Sequence, residues 1–196
     1  MDEGGDPACW AHRFEDGPEL PAPVIARARA NGSAGQRWLD DLPGVVDAMV
    51  QRWSLTLGRM HTGGTAAYVV DAVDRDDRPC VLKVAMALDE DDHQAFERSA
   101  LAHRLAEGRG CVELLAHDPG APAMLLERLG PNLAALDLPL DAVLETVGTT
   151  LRSFWRPVPD DGDLGEWLMC QPSGTVLFCC QKIGNVLGKT VAIVGQ

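Results

Sequence analysis

Lys83 stands in the run Pro79-Cys80-Val81-Leu82-Lys83-Val84, whose apolar, β-favouring residues describe a strand that is substantially buried. A cation there calls for an anionic partner, because an ammonium taken out of water alone is costly. Upstream, Thr62-Gly63-Gly64-Thr65 makes a turn between two apolar runs. A Gly-Gly turn lets backbone N–H groups approach a polyanion with no Cβ in the way. Fixed N–H donors and one or two cations are what the oxygens of a nucleotide triphosphate require, so this pair of features is a candidate phosphate site. A plainer reading stands beside it. Two glycines between strands also make an ordinary hairpin, and a strand lysine can pack its stem while its ammonium reaches water.

The elements that position these residues follow from periodicity. Residues 1–22 are rich in Gly, Pro, Asp and Glu without a period and read as a flexible arm. From 23 to 52, Val24, Ile25 and Ala28, then Trp38, Leu42, Val45, Val46, Met49 and Val50 past the Asn31-Gly32-Ser33 break, recur at helical spacing and predict two amphipathic helices. Trp53, Leu55 and Leu57 alternate with polar residues and predict a first strand ending at Gly58. A second strand over Ala66 to Val73, the turn Asp74-Arg75-Asp76-Asp77-Arg78 and a third strand at Lys83 complete an antiparallel meander. Asp89 to Asp92 open a helix with the stripe Phe96, Ala100, Leu101 and Leu105, ending near Gly108. Val112 to Ala116 and Ala123 to Leu126 read as strands four and five around Asp118-Pro119-Gly120, with His117 and Asp118 as turn formers. A linker through Gly130-Pro131-Asn132 leads to a last helix, Leu140 to Trp155, stopped by Pro157 and Pro159.

Three strands, a helix, two strands, a linker and a helix is the order of a protein-kinase-like small lobe. Five stretches make the likeness specific: Thr62-Gly63-Gly64-Thr65-Ala66, Val81-Leu82-Lys83-Val84, Phe96-Glu97-Arg98-Ser99-Ala100-Leu101, Gly108-Arg109-Gly110-Cys111 and Leu125-Leu126-Glu127-Arg128-Leu129. In this order they resemble the N-terminal portion of the aminoglycoside/hydroxyurea resistance kinases, the group of streptomycin-type phosphotransferases, over residues 23–168. The resemblance implies an α+β protein-kinase-like small lobe over 53–130, a five-stranded antiparallel sheet with one packed helix. It adds a helical N-terminal extension over 23–52, and a linker and first helix of an incomplete large lobe over 131–168. It also implies ATP, as its Mg complex, and an aminoglycoside-like alcohol acceptor. Lys83 would touch the α- and β-phosphates and be held by Glu97, Gly63 and Gly64 would cover the phosphates, and Glu127 to Gly130, with Leu129, would be the hinge whose backbone meets adenine. The ATP-binding set is therefore Gly63, Gly64, Lys83, Glu97, Glu127 and Leu129.

In this family the transfer step uses a His-Gly-Asp-type loop and a later metal-binding aspartate, and neither has an equivalent in this sequence. Asp160-Asp161-Gly162-Asp163-Leu164 lacks the His and a downstream Asn and reads as a solvated acidic linker. No catalytic residue or metal ligand is assigned, and the expectation is a truncated, inactive form that at most binds ATP; a non-catalytic interaction module and a rearrangement product without function are the alternatives. Beyond Leu168, the run through Gly184-Asn185-Val186-Leu187-Gly188-Lys189-Thr190-Val191-Ala192-Ile193-Val194-Gly195 resembles the entry into the nucleotide-binding domain of a medium-chain zinc-dependent dehydrogenase. Residues 169–196 thus read as an unrelated tail. The Gly-Lys-Thr there precedes a strand instead of following one, and its spacing is one residue short of a P-loop.

Bulk composition narrows the partners. With 29 acidic against 17 basic residues, a formal charge of -12 disfavours nucleic acid and anionic membrane surfaces. The first residues show no secretory pattern and no run is long enough to span a bilayer, which sets a cytoplasmic expectation. Cys9, Cys80, Cys111, Cys170, Cys179 and Cys180 lack zinc-like spacing and read as reduced thiols. An uncovered inter-lobe face would favour self-association.

Overall fold

The computed structural model describes residues 20–131 and 133–154, and beyond them the short strands Thr175–Val176 and Ile193–Val194. Residues 1–19 of the expected arm, the acidic string Asp160 to Leu164, Cys9, Cys170, Cys179, Cys180 and, apart from those two strands, the tail 169–196 lie outside the described residues, whereas Leu20, also placed in that arm, is buried in the core and Ala22 begins the first helix. The chain falls into two compact units. One takes in the described residues up to Glu97 together with Leu115–Arg128, the other Arg98–Leu114 and the described residues from Leu129 onward.

The first unit begins with α1 (Ala22–Ala30) and α2 (Gly32–Trp53), turned into each other at Asn31 and Gly32. Gly35, Trp38, Leu42, Val46, Met49 and Val50 form the buried stripe of α2. The two helices approach so closely that a Cβ at Gly35 would collide with the Ala28 backbone. Five strands follow: β1 (Thr56–Met60), β2 (Ala67–Val73), β3 (Pro79–Ala85), β4 (Leu114–Asp118) and β5 (Ala123–Glu127). They form one antiparallel sheet in the order β1-β2-β3-β5-β4, the α+β class expected of a kinase-like small lobe.

Strand register divides the sheet into two faces. Opposed residues share a face, so Tyr68, Val84 and Ala123 stand in one row, and Val70, Leu82 and Leu125 in the next. These rows form one core with Trp38, Leu42, Val46, Met49 and Val50 of α2 and with Val24 and Ala28 of α1. Trp38 also donates its indole N–H to the Ala85 carbonyl at 3.0 Å, tying α2 to the end of β3. The opposite face holds Val69, Lys83 and Met124 in one row and Asp71, Val81 and Leu126 in the next.

The sequence placed Trp53 on the first strand, whereas α2 runs through it and stops at Ser54, whose left-handed backbone returns its N–H to Val50. Trp53 extends the helical stripe from Met49 and Val50 as readily as it alternates with Leu55, and helix continuity wins. The strand starts at Thr56, and Gly58 lies inside it. The β2–β3 turn is closed by Asp74, whose Oδ1 accepts the Asp76 and Arg78 N–H groups at 2.9 and 3.0 Å.

The helix α3 (Glu90–Ala106) starts where the acidic run predicts. Asp89 Oδ1 accepts the Asp92 N–H at 2.9 Å and Asp92 Oδ2 accepts the Leu88 N–H at 3.0 Å, a reciprocal cap. In the second unit, α4 (Leu140–Phe154) has no fully buried residue, and its Leu140 and Leu144 are 73% and 62% exposed. Gly110, in a left-handed conformation, lets the chain pass so close to α4 that a Cβ there would meet Phe154 N at 2.8 Å. No helix among the described residues is long and apolar enough to cross a membrane.

Candidate nucleotide-binding site

β3 presents Lys83 on the face away from α1 and α2, between Val69 and Met124 in its row and beside Val81 along the strand. The lysine is half-buried among these apolar neighbours. Among the described residues, no hydrogen bond or ion pair holds its ammonium. That is an unusual state for a half-buried cation, which ordinarily finds a carboxylate or a carbonyl.

The expected carboxylate is engaged elsewhere. Both oxygens of Glu97 lie against His117 Nε2 of β4, at 2.9 and 3.0 Å, and the His117 ring stacks on Phe96 with centroids 5.8 Å apart. The Lys83–Glu97 pair is therefore not formed in this structure. The assignment of His117 to turn formation is corrected at the same point: the ring is nearly buried and serves as the partner of α3. Asp118 does form the turn, accepting the Gly120 and Ala121 N–H groups at 2.6 and 2.9 Å through Oδ1, and it also pairs with Arg52 of α2 through Oδ2.

Gly63 and Gly64 lie in the connection between β1 and β2. Neither has the left-handed backbone that would demand glycine, a Cβ at Gly63 would meet nothing within 4 Å, and one at Gly64 would make only an ordinary contact with Ala67 O. The fold itself thus gives no steric reason for either glycine. Glu127 closes β5 opposite Cys80, and Leu129 follows in the second unit. The sheet accordingly sets Lys83 beside β2, the strand that leads out of the Gly63-Gly64 turn, while Glu127, in the row of Ala72 and Cys80, stands on the opposite face and Glu97 reaches the sheet at β4.

The sequence reading missed one cluster on the Lys83 face. Asp71 of β2 is 6% exposed, its Oδ1 lies 2.7 Å from His61 Nε2, and its Oδ2 lies 3.1 Å from an Arg128 guanidinium nitrogen. The available signal was a single carboxylate inside Ala67-Tyr68-Val69-Val70-Asp71-Ala72-Val73. His61 is two residues from Gly63, and Arg128 lies between Glu127 and Leu129.

Other reactive groups are structural. Burial, then Asp74, pushes the Cys80 thiol up to about 11 despite Arg78, so it stays protonated and unreactive at neutral pH. Cys111, also buried, has its Sγ 3.0 Å from His103 Nδ1, itself 3.1 Å from the Val112 carbonyl oxygen. Among the described residues no three carboxylate, His or Cys side chains gather as a metal site. Among the described residues, a cation without a partner and an unobstructed Gly-Gly turn suit the oxygens of a polyphosphate, and no ligand set for Mg²⁺ is gathered.

No family model matches the chain. Three curated proteins do. Over 144 residues, 72% of this chain, it is 37% identical to a streptomycin 6-kinase of Streptomyces glaucescens, covering 45% of that protein. It is 35% identical over 131 residues to a hydroxyurea phosphotransferase of Kitasatospora aureofaciens, 65% of this chain and 37% of the relative. A streptomycin 6-kinase of Streptomyces griseus is 33% identical over 134 residues, 67% of this chain and 42% of the relative. The chain thus spans less than half the length of the relatives it matches. These identities, over 65–72% of the chain, and the five-stranded antiparallel sheet together support membership of the aminoglycoside/hydroxyurea kinase family.

Proposed function

We propose that this chain supplies the nucleotide-binding lobe of an ATP-dependent phosphotransferase acting on an alcohol group of a small, aminoglycoside-like molecule. The observation that supports this most strongly is the half-buried Lys83 with no partner among the described residues, on the sheet face that the core helices leave free. A phosphate oxygen is the partner it lacks. The Gly63-Gly64 turn adds N–H donors at a place where the fold has no steric need of glycine. Bound ATP would bring Mg²⁺ as its complex. Glu127 and Leu129 would meet the base through their backbone, and Glu97 would exchange His117 for Lys83 when phosphate draws the lysine into place.

The groups that perform transfer are a separate matter. The sequence contains no His-Gly-Asp string, and losing a general base alone typically costs about two to four orders of magnitude in rate. By this reading the chain on its own binds ATP without phosphorylating an acceptor. Calorimetric titration with ATP, beside a phosphorylation assay with streptomycin, ATP and Mg²⁺, tests both parts. Saturable ATP binding without turnover is expected. Absence of binding at millimolar ATP refutes the nucleotide reading, and turnover abolished by Lys83→Ala refutes the inactivity.

A second reading, a non-catalytic interaction module that self-associates, draws on the exposed Leu136, Leu138, Leu140 and Leu144 of the second unit. Size-exclusion chromatography separates the two: an oligomer indifferent to ATP favours the module, a monomer stabilised by ATP the kinase lobe.

A further inference from the structure

The carboxylate of Asp71 has no part in the family assignment. Its strand is otherwise apolar, and a valine there would complete the row with Val81 and Leu126 without a charge to bury. Replacing buried ion pairs by apolar residues is often neutral or stabilising, so sheet stability alone does not account for an aspartate here.

What the carboxylate does is divide its two oxygens between separate segments. Oδ1 takes His61, the residue that opens the loop bearing Gly63 and Gly64; Oδ2 takes Arg128, the first residue past β5. Both partners come from outside the strand interiors, and their side chains are 44% and 45% exposed against 8% for Asp71. A buried acceptor thus anchors two surface segments from below. If the proposed function holds, those are the segments that meet the phosphates and the base.

We infer that Asp71 is a positioning residue for the nucleotide: by holding His61 and Arg128 at once, it sets the Gly63-Gly64 turn and the exit of β5 at a fixed separation. This rests on the nucleotide reading above. Asp71 itself need not touch ATP. Its effect is to reduce the ordering that binding would otherwise demand of two loose segments, which is how pre-organisation raises affinity.

The test uses the full chain, competing ATP or inorganic tripolyphosphate against a fluorescent ATP analogue, with melting temperature recorded for every variant. Asp71→Asn should weaken ATP by about three- to thirtyfold, the span of typical indirect couplings. His61→Ala, at a half-exposed site that folding tolerates, should weaken ATP and tripolyphosphate alike. Arg128→Ala should weaken ATP and leave tripolyphosphate within about twofold, since the β5 exit serves the base. A split of this kind is not produced by a general loss of stability. If all three variants bind both ligands as the wild type does, or lose both in proportion to melting temperature, Asp71 only holds the sheet and the inference falls while the nucleotide reading stands. If the wild type binds neither ligand, the nucleotide reading fails first and this inference with it.

Discussion

Replacing Lys83 by methionine separates binding from folding in a single variant. The lysine stem lies between Val69 and Met124, and its ammonium has no partner among the described residues. Methionine keeps an unbranched stem of similar length and removes the charge, so the sheet loses no contact and no longer shelters an uncompensated cation. Stability should therefore stay level or rise by up to about 1 kcal/mol, comparable to other sites where function opposes stability. For a domain of about a hundred residues that is a rise of roughly 4–8 °C at most in melting temperature. Nucleotide affinity should move the other way. A hydrogen bond to a charged group contributes about 1.5–3 kcal/mol, so ATP should bind about 10- to 150-fold more weakly. Differential scanning fluorimetry gives the first quantity and calorimetric titration the second. A destabilised Lys83→Met protein with unchanged ATP affinity would refute the reasoning, because it would make Lys83 a structural residue whose partner lies among the residues not described.

Two further outcomes test the scaffold. Gly35→Ala should force α1 off α2, because the new methyl meets the Ala28 backbone, which has no rotamer to yield; exposing part of the fully buried Val24 and Ala28 should lower stability by about 2–4 kcal/mol, readable by urea denaturation. Asp47 Oδ1 is buried on α2 without a hydrogen-bond partner among the described residues, and burial holds its carboxyl above the ordinary range. A raised carboxylate pKa in the folded state opposes folding where the group is ionised, so Asp47→Asn should stabilise at neutral pH; the gain should shrink as pH falls through the raised value and vanish below the ordinary carboxylate pKa. Melting temperatures of both proteins between pH 3 and 8 would show it, and a gain independent of pH would count against it.

Where one period dominates, the sequence was sufficient to place an element. The apolar stripe of α2, the acidic start of α3 and the β-branched runs of β2 and β3 each have a single reading, and the structure contains all of them. At Trp53 two periods coincide, and only the left-handed Ser54 decides between them. The site was legible in part, for a related reason. Lys83 is conspicuous against Val81, Leu82 and Val84, but the pairing of Glu97 with His117 joins residues on different elements, and no local pattern encodes which of two nitrogen-bearing side chains a carboxylate meets. Asp71 was visible as an interruption of an apolar run. Its two partners were not, because they lie on segments that only the register of β1, β2 and β5 brings alongside it.

The order β1-β2-β3-β5-β4 also has a consequence in time. The helices α1 and α2 and the β1-β2-β3 meander are local in sequence and can form as the chain emerges, but β3 gains its second neighbour only when β5 arrives, with Lys83 facing Met124. At a synthesis rate of about 5–20 residues per second, the roughly forty residues between them leave one edge of β3 unpaired for about 2–8 s. During that interval a nascent chain exposes backbone donors and acceptors beside Val81, Leu82 and Val84, an edge open to other strands. A cation in the middle of that edge disfavours such pairing, so Lys83 also protects the strand before its proper neighbour has been made.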